Sequence, residues 1–162
     1  PARYWWVSFF QVFLLQGCLA VLISAPLQLA GAARPPDPIG MTGLAGLLVF
    51  TLGLAVEVAA DAQLQAFRGD PARRGRVLDT GLWRFSRHPN YFGEAVLWWG
   101  LWLCAVGQPY GWASVVAPLL MTFLLVKVSG VAMLDAHLGA TKPGYSDYIR
   151  RTSAFILRSP RQ

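Results

Sequence analysis

Four long apolar stretches constrain the fold of this chain more than any other feature. They cover residues 4–29, 39–67, 91–106 and 111–134, and each approaches or exceeds the roughly 20 apolar residues that a helix needs to cross a bilayer. Of the 162 residues, 55% are hydrophobic and only 14% are charged, which is more apolar than one soluble core of this size requires. We therefore predict an all-α protein, a polytopic transmembrane bundle of about four spans, in which residues 1–162 form a single domain.

The basic residues predict how these spans are oriented. Six arginines lie between the second and third stretches, and five basic residues follow the fourth. Because basic residues favour the cytoplasmic side, we expect a multi-pass protein of the inner (cytoplasmic) membrane with both ends of this segment in the cytoplasm. The residues are Arg68, Arg73, Arg74, Arg76, Arg84 and Arg87, then Lys142, Arg150, Arg151, Arg158 and Arg161.

The net charge of +6 also indicates which partners to expect. It favours contact with anionic membrane lipids. Nucleic acid is not an expected partner, because no soluble basic face or helix-turn-helix pattern accompanies the arginines.

Proline and glycine mark the connections between spans. The segments 31–38 and 107–111 are predicted to form connections on the external side of the membrane, and 69–75 is predicted to end the second helix on the cytoplasmic side. After the fourth span, residues 145–156 predict a C-terminal amphipathic segment. It either lies at the cytoplasmic interface or docks over the ends of the spans.

Ionisable residues at membrane depth are candidates for function, since each costs roughly 2.5–3.5 kcal/mol at a helix centre. Glu57 and Asp61 lie on one stripe of the second helix that continues to Arg68; alternatively, these groups are solvated or paired with each other. Pro89 suits the first turn of a helix, which places Asn90 and Glu94 on one face.

Lys127 and Asp135 are also candidate ionisable groups at membrane depth, although Lys127 can extend to the interface. His88 can cap the helix that begins at Pro89, and His137 can be a surface residue. Two isolated histidines do not form a metal site, and no metal is expected. The cysteines, both inside predicted spans, are interpreted as small apolar residues.

Two motifs give the chain a recognisable resemblance. They are Ser86-Arg87-His88-Pro89-Asn90-Tyr91-Phe92-Gly93-Glu94, and Pro143-Gly144-Tyr145 followed by Tyr148-Ile149-Arg150-Arg151-Thr152-Ser153-Ala154-Phe155. With these residues the chain resembles the steroid 5-alpha-reductase superfamily, and within it the bacterial branch of uncharacterised steroid-reductase-like membrane proteins. The resemblance extends back to residues 13–17 and so covers nearly the whole chain.

The resemblance implies an all-helical membrane reductase that passes hydride from NADPH to a carbon–carbon double bond of a steroid-like or other lipid-like enone. The resemblance implies seven cofactor-binding residues. Five match cofactor-contacting positions of that superfamily: Asp61, Arg68, Arg76, Asn90 and Glu94. The other two, His137 and Tyr145, match the C-terminal region that closes over the cofactor. Glu57 stands where members often carry asparagine. In steroid reductases, the residues that polarise the enone carbonyl lie on helices before the matched region. We therefore expect residues 1–162 to be the C-terminal part of a longer fold; the alternative is a protein that has lost that half of the site. No catalytic residue is assigned.

Two other functions stay open from the sequence. Arg87-His88-Pro89 and the Tyr91-x-Gly93 pattern more distantly resemble isoprenylcysteine carboxyl methyltransferases, which implies S-adenosylmethionine as the cofactor. The third possibility is a non-catalytic accessory subunit that retains the scaffold and joins partner membrane subunits.

Overall fold

The computed structural model describes residues 2–32, 40–128 and 131–161, without the side chains of Ala2, Ala132, Leu134, His137 and Ala140. Within these ranges the regular secondary structure is entirely helical. The eight α-helices are α1 (Ala2–Ser8), α2 (Leu15–Ile23), α3 (Ala25–Gly31), α4 (Met41–Gly69), α5 (Pro89–Ala105), α6 (Val116–Phe123), α7 (Val131–Thr141) and α8 (Tyr145–Arg151). The predicted all-α helical membrane bundle is confirmed.

Three helical segments within the described ranges are long and apolar enough to cross a membrane: Arg3–Ile23, Met41–Gly69 and Gly111–Val128. The first and third include turns of π-helix or 3-10 helix besides their α-helical parts. The third apolar stretch of the sequence forms α5, whose 17 residues span about 25 Å at 1.5 Å per residue. It therefore reaches only the lower limit of a membrane span. The proline-rich connector 31–38 falls mostly outside the described residues.

Helices α4 and α5 pack against each other in antiparallel orientation. Glycines at the contact set the distance between them. A Cβ atom at Gly93 would lie 2.6 Å from the backbone nitrogen of Glu57, and one at Gly53 would lie 2.7 Å from the carbonyl oxygen of Gly93. Gly46 and Gly100 make the same close approach nearer the other end of the pair. Since lipid provides no hydrophobic driving force between helices, this packing of small residues holds the two together.

The remaining helices place α5 in the middle of the bundle. It contacts α4 on one side and α3 and α6 on another, while α2 packs on α6. Large apolar side chains such as Phe13, Leu47 and Phe123 stay exposed, as expected for surfaces that face lipid.

The C-terminal segment docks over the ends of the helices, so the second of the two sequence interpretations is the correct one. Tyr145 and Tyr148 of α8 are 3% and 2% exposed. The backbone N–H of Arg87 donates to the carbonyl of Ser153 at 2.8 Å, and the hydroxyl of Ser86 donates to the carbonyl of Phe155 at 2.8 Å. These bonds position α8 and the following tail against the turn that precedes α5.

Candidate functional site

A pocket lies where the end of α4 meets the turn before α5, α7 and α8. Its empty volume is about 560 Å³, with open space at the mouth included. Its apolar walls come from Leu64, Phe67, Val77, Leu78, Trp83 and Leu138, and its polar groups from Arg68, Arg87, His88, Lys142, Tyr145 and Tyr148. An apolar cavity with a few converging polar groups is the usual form of a small-molecule site.

An ion pair between Arg87 and Asp135 holds one wall of this pocket. The Nε atom of Arg87 lies 3.2 Å from each carboxylate oxygen, and its Nη2 atom lies 2.7 Å from Oδ2. The remaining nitrogen, Nη1, donates to the carbonyl oxygens of Ile149 at 3.1 Å and Thr152 at 2.6 Å. Arg87 is buried, and every nitrogen of its guanidinium has a partner. The contacts join the start of α5 to both α7 and the end of α8.

His88 and Tyr145 share the same carboxylate. The Nε2 atom of His88 lies 3.2 Å from Oδ1 of Asp135, and the Tyr145 hydroxyl donates to that oxygen at 2.7 Å. The His88 ring stacks on Tyr91 with an interplanar angle of 4°. Although His88 occupies the N-cap position of α5, its side chain makes no capping bond. The interpretation of His88 as a simple helix cap is therefore wrong, because its ring is used for the carboxylate instead.

The protonation of this cluster follows from its contacts. Burial alone would raise the pKa of Asp135, but hydrogen bonds from His88, Arg87 and Tyr145 outweigh it and hold that pKa well below its usual range. Burial and the bond to the Asp135 carboxylate raise the pKa of Tyr145 above its ordinary value. At neutral pH the cluster thus contains a carboxylate and a protonated phenol.

Tyr148 and Trp83 fix the opposite wall. The Tyr148 hydroxyl donates to the backbone carbonyls of Trp83 and Ser86, and burial raises the pKa of that hydroxyl. The indole nitrogen of Trp83 donates to the carbonyl of Ala60 on α4 at 3.0 Å. The turn before α5 is consequently held from α8 and from α4 at once.

A second polar group lies deeper, between α4 and α5. The side-chain nitrogen of Asn90 donates to Asp61 at 3.0 Å, and the carboxylates of Glu57, Asp61 and Glu94 are near enough for their charges to interact. The side-chain oxygen of Asn90 is buried and has no hydrogen-bond partner among the described residues. Because a buried acceptor without a donor is unfavourable by about 1–3 kcal/mol, this atom is a candidate contact for a ligand.

The structure brings five of the seven predicted site residues into these two neighbouring regions. Arg68 and Tyr145 line the pocket, while Asp61, Asn90 and Glu94 form the polar group between the helices. Asp61 lies seven residues before Arg68 on α4, so the two regions follow one stripe of that helix.

The other two predicted residues are placed differently. The carbonyl oxygen of Arg76 accepts a bond from the Lys142 ammonium at 3.2 Å, but Arg76 lines a separate cleft that includes Asp79 and Asp147. His137 belongs to α7, and its side chain lies outside the described set. Lys127 is exposed one residue before the end of its span, where a long side chain reaches the interface.

Sequence reasoning missed the central part of the pocket. It used Arg87 and Lys142 only as signals of membrane orientation, and it identified no partner for Asp135. Arg87 and Asp135 are 48 positions apart, and no periodic pattern connects them. The only available signal was a charged residue before the third stretch and another just after the fourth, which does not identify a pair.

Comparisons with known proteins agree with the sequence resemblance. A family model described as "Protein of unknown function (DUF1295)" matches residues 2–152. A Delta(14)-sterol reductase of Ascobolus immersus is 34% identical over 88 residues, which cover 45% of this chain and 20% of the relative. The steroid 5-alpha-reductase DET2 of Gossypium hirsutum is 39% identical over 57 residues, 35% of this chain and 22% of the relative. The chain spans about a fifth of the length of these two curated relatives. No solved structure matches it significantly.

Proposed function

The chain belongs to the DUF1295 family of steroid 5-alpha-reductase-like membrane proteins, and from that premise we propose that it carries the cofactor-binding part of a membrane-embedded, NADPH-dependent reductase. The proposed substrate is a steroid-like or other lipid-like enone whose carbon–carbon double bond is reduced. Both curated relatives are named as sterol or steroid reductases, which supports the reaction class.

The pocket between α4, α7 and α8 is the observation that carries this proposal. Two cationic side chains, Arg68 and Lys142, line it from different helices, and aromatic and aliphatic groups form the walls between them. Cations suit the phosphates of a dinucleotide, and guanidinium groups bind phosphate through paired hydrogen bonds. Flat apolar walls suit its rings.

The residues present fit NADPH in a second respect. The partnerless oxygen of Asn90 is an acceptor of the kind that a carboxamide N–H satisfies. Asp61 holds the other end of the same amide at 3.0 Å, so the acceptor oxygen has a defined direction. We assign Asn90, with Asp61 and Glu94 beside it, to the nicotinamide or ribose end of the cofactor, and Arg68 and Lys142 to its phosphates.

When bound, NADPH supplies a hydride for the β carbon of the enone. This chain's own residues bind and orient: Arg68 and Lys142 neutralise negative charge, and Asn90 accepts an N–H. Tyr145 keeps its hydroxyl proton at neutral pH, and that proton is directed at Asp135. The Arg87–Asp135 pair fixes the wall from which Tyr145 and His88 reach the pocket.

The proposed location is the inner membrane with the pocket facing the cytoplasm. Arg68 precedes the arginine-rich link, and Lys142 follows α7, so the basic residues that predict the cytoplasmic side surround the mouth of the pocket. A cofactor made in the cytosol then reaches the site without crossing the membrane. A lipid-like substrate is proposed to enter from the bilayer.

The test is a comparison of cofactors on purified protein in detergent. Thermal unfolding is followed with NADPH, NADH and S-adenosylmethionine over a range of concentrations. A ligand that binds only the folded state at 100 times its Kd adds about 2.7 kcal/mol of stability. We expect stabilisation by NADPH, weaker stabilisation by NADH and none by S-adenosylmethionine.

The other two functions have distinct outcomes in the same experiment. Stabilisation by S-adenosylmethionine alone would indicate the methyltransferase. No response to any of the three would favour the non-catalytic subunit with partner membrane proteins. The motif that suggests the methyltransferase, Arg87-His88, is engaged with Asp135, so its presence in the sequence has a structural explanation.

A further inference from the structure

The C-terminal tail packs across the turn that precedes α5 and is hydrogen-bonded to it. The backbone N–H of Arg158 donates to the carbonyl of Phe85 at 3.0 Å, and the N–H of Arg161 donates to the carbonyl of Arg151 at 2.9 Å. With the two bonds at Ser153 and Phe155 described above, the tail is held at four points between residues 153 and 161. The backbone of the tail, including that of Arg158 and Arg161, is therefore held in place.

This arrangement creates a basic cleft, formed by Arg84, Arg151, Arg158 and Arg161. Two adjoining hollows make up the cleft, and they share Arg151 and Arg161. Arg84 lines one hollow and Arg158 the other. Arg87 lines both the pocket described above and one hollow of the cleft, but the two sites share no other lining residue.

The charge in the basic cleft is not balanced by the protein. Arg151 pairs with Asp79, but Arg84, Arg158 and Arg161 have no carboxylate partner among the described residues. Three guanidinium groups without a carboxylate partner thus line the two adjoining hollows. Such groups suit an anion, since each offers paired N–H donors to phosphate oxygens.

Apolar side chains beside the cleft indicate where that anion comes from. Phe85 is 39% exposed and Ile156 is 63% exposed, and both belong to the segments that form the cleft. Exposed aromatic and aliphatic groups next to unpaired cations are typical of a surface that sits at the boundary between headgroups and acyl chains.

We propose that the basic cleft binds the phosphate of an anionic phospholipid headgroup, with Phe85 and Ile156 against the acyl region. The site goes beyond the proposed reductase function and does not depend on it. Bound lipid would connect the turn before α5 to the C-terminal tail and so stabilise the docked position of α8.

The test uses the full chain in neutral detergent without NADPH. Native mass spectrometry counts bound lipid during titration with dioleoylphosphatidylglycerol, and separately with dioleoylphosphatidylcholine. Thermal unfolding is measured in parallel, and glycerol 3-phosphate serves as the soluble phosphate. We expect tighter binding of the anionic lipid than of the zwitterionic one. A response to glycerol 3-phosphate equal to that of the anionic lipid would identify a free phosphate ester as the ligand of the same site.

Two double variants and one single variant test whether the lipid binds in the basic cleft. Arg158→Gln/Arg161→Gln should weaken phosphatidylglycerol binding roughly tenfold or more, since each basic residue contributes to attraction of anionic lipid. The matched control, Arg3→Gln/Arg74→Gln, removes the same charge elsewhere and should bind normally. Arg84→Gln, which lies outside the tail, should also weaken binding. Equal binding of the two lipids by the unmodified chain, or equal losses in the cleft and control variants, would overturn the proposal.

Discussion

The guanidinium of Arg87 and the carboxylate of Asp135 form a two-point ion pair that joins the turn before α5 to α7 across 48 positions of sequence. The same carboxylate also contacts His88 and Tyr145, so one acidic group organises three polar side chains. The contacts of Asp135 explain why the charges of Arg87 and Asp135 are tolerated in so apolar a chain. Each buried charge has a partner, which is the condition under which burial is not prohibitive.

Loss of the Asp135 charge should destabilise the fold strongly. Asp135→Asn leaves Arg87 buried without its counter-ion, and removal of one member of a buried pair typically costs about 3–5 kcal/mol. Asp147→Asn is the control, because its pair with Arg150 is exposed and such pairs contribute roughly 0–1 kcal/mol. Denaturant unfolding in detergent measures both. Equal destabilisation by the two substitutions would show that the pair has no special role.

Stability should fall at alkaline pH because of the buried tyrosines. The pKa of Tyr148 is raised in the folded state, mainly by burial, above the value of about 10 for an unfolded tyrosine. Its contribution is therefore complete below pH 10 and is lost as pH rises from there towards the folded pKa. Tyr148→Phe should flatten this alkaline decline, and it should also lower stability at pH 8 by about 1–3 kcal/mol, since two carbonyls lose their donor. Tyr110→Phe, at a position 77% exposed, should change neither quantity.

The contact between α4 and α5 should not accept a methyl group. Gly93→Ala places a Cβ 2.6 Å from the backbone of Glu57, and overpacking of this kind costs about 1–3 kcal/mol. Gly17→Ala is the matched helical control, because nothing lies within 4 Å of the added atom. Resistance to proteolysis and thermal unfolding report the difference. A stable Gly93→Ala protein would mean that the two helices are not packed through their glycines.

Arg68 should determine the preference for NADPH over NADH. If this arginine binds the adenosine 2′-phosphate, Arg68→Gln removes a charge-assisted contact of roughly 1.5–3 kcal/mol and reduces the preference accordingly. Asn90→Ala should instead weaken both cofactors to a similar extent, because its acceptor oxygen faces a part that they share. Calorimetric titration checks affinity, and circular dichroism checks that helix content is retained. Unchanged affinities in both variants would remove these residues from the site.

Cysteine labelling tests the predicted membrane orientation. Single cysteines at Ala72 and Pro109, both exposed, are introduced after replacement of Cys18 and Cys104. An impermeant reagent applied from outside should label position 109 and not position 72. The reverse labelling would contradict both the orientation and the cytosolic route for NADPH.

Some features of this protein could be predicted from local sequence. A run of apolar residues needs its backbone hydrogen bonds satisfied within the segment, so the stretches at 4–29 and 39–67 specify helices whatever surrounds them. Pro89 likewise predicts the start of a helix, and the spacing of four residues then places Asn90 and Glu94 on one face of it. The family could also be recognised, because the motif at 86–94 is dense enough to identify it without any structure.

Only the tertiary structure decided which polar groups meet. Arg87, Asp135 and Tyr145 come together because α5, α7 and α8 converge, and that convergence depends on distant contacts such as the glycine packing of α4 on α5. The docking of α8 was likewise undetermined, because an interfacial helix and a docked helix need the same amphipathic pattern. Helix periodicity specifies which residues share a face, but the partner of that face is chosen by packing across the whole bundle. The sequence by itself thus determined the helices and the family, and the fold selected the pocket.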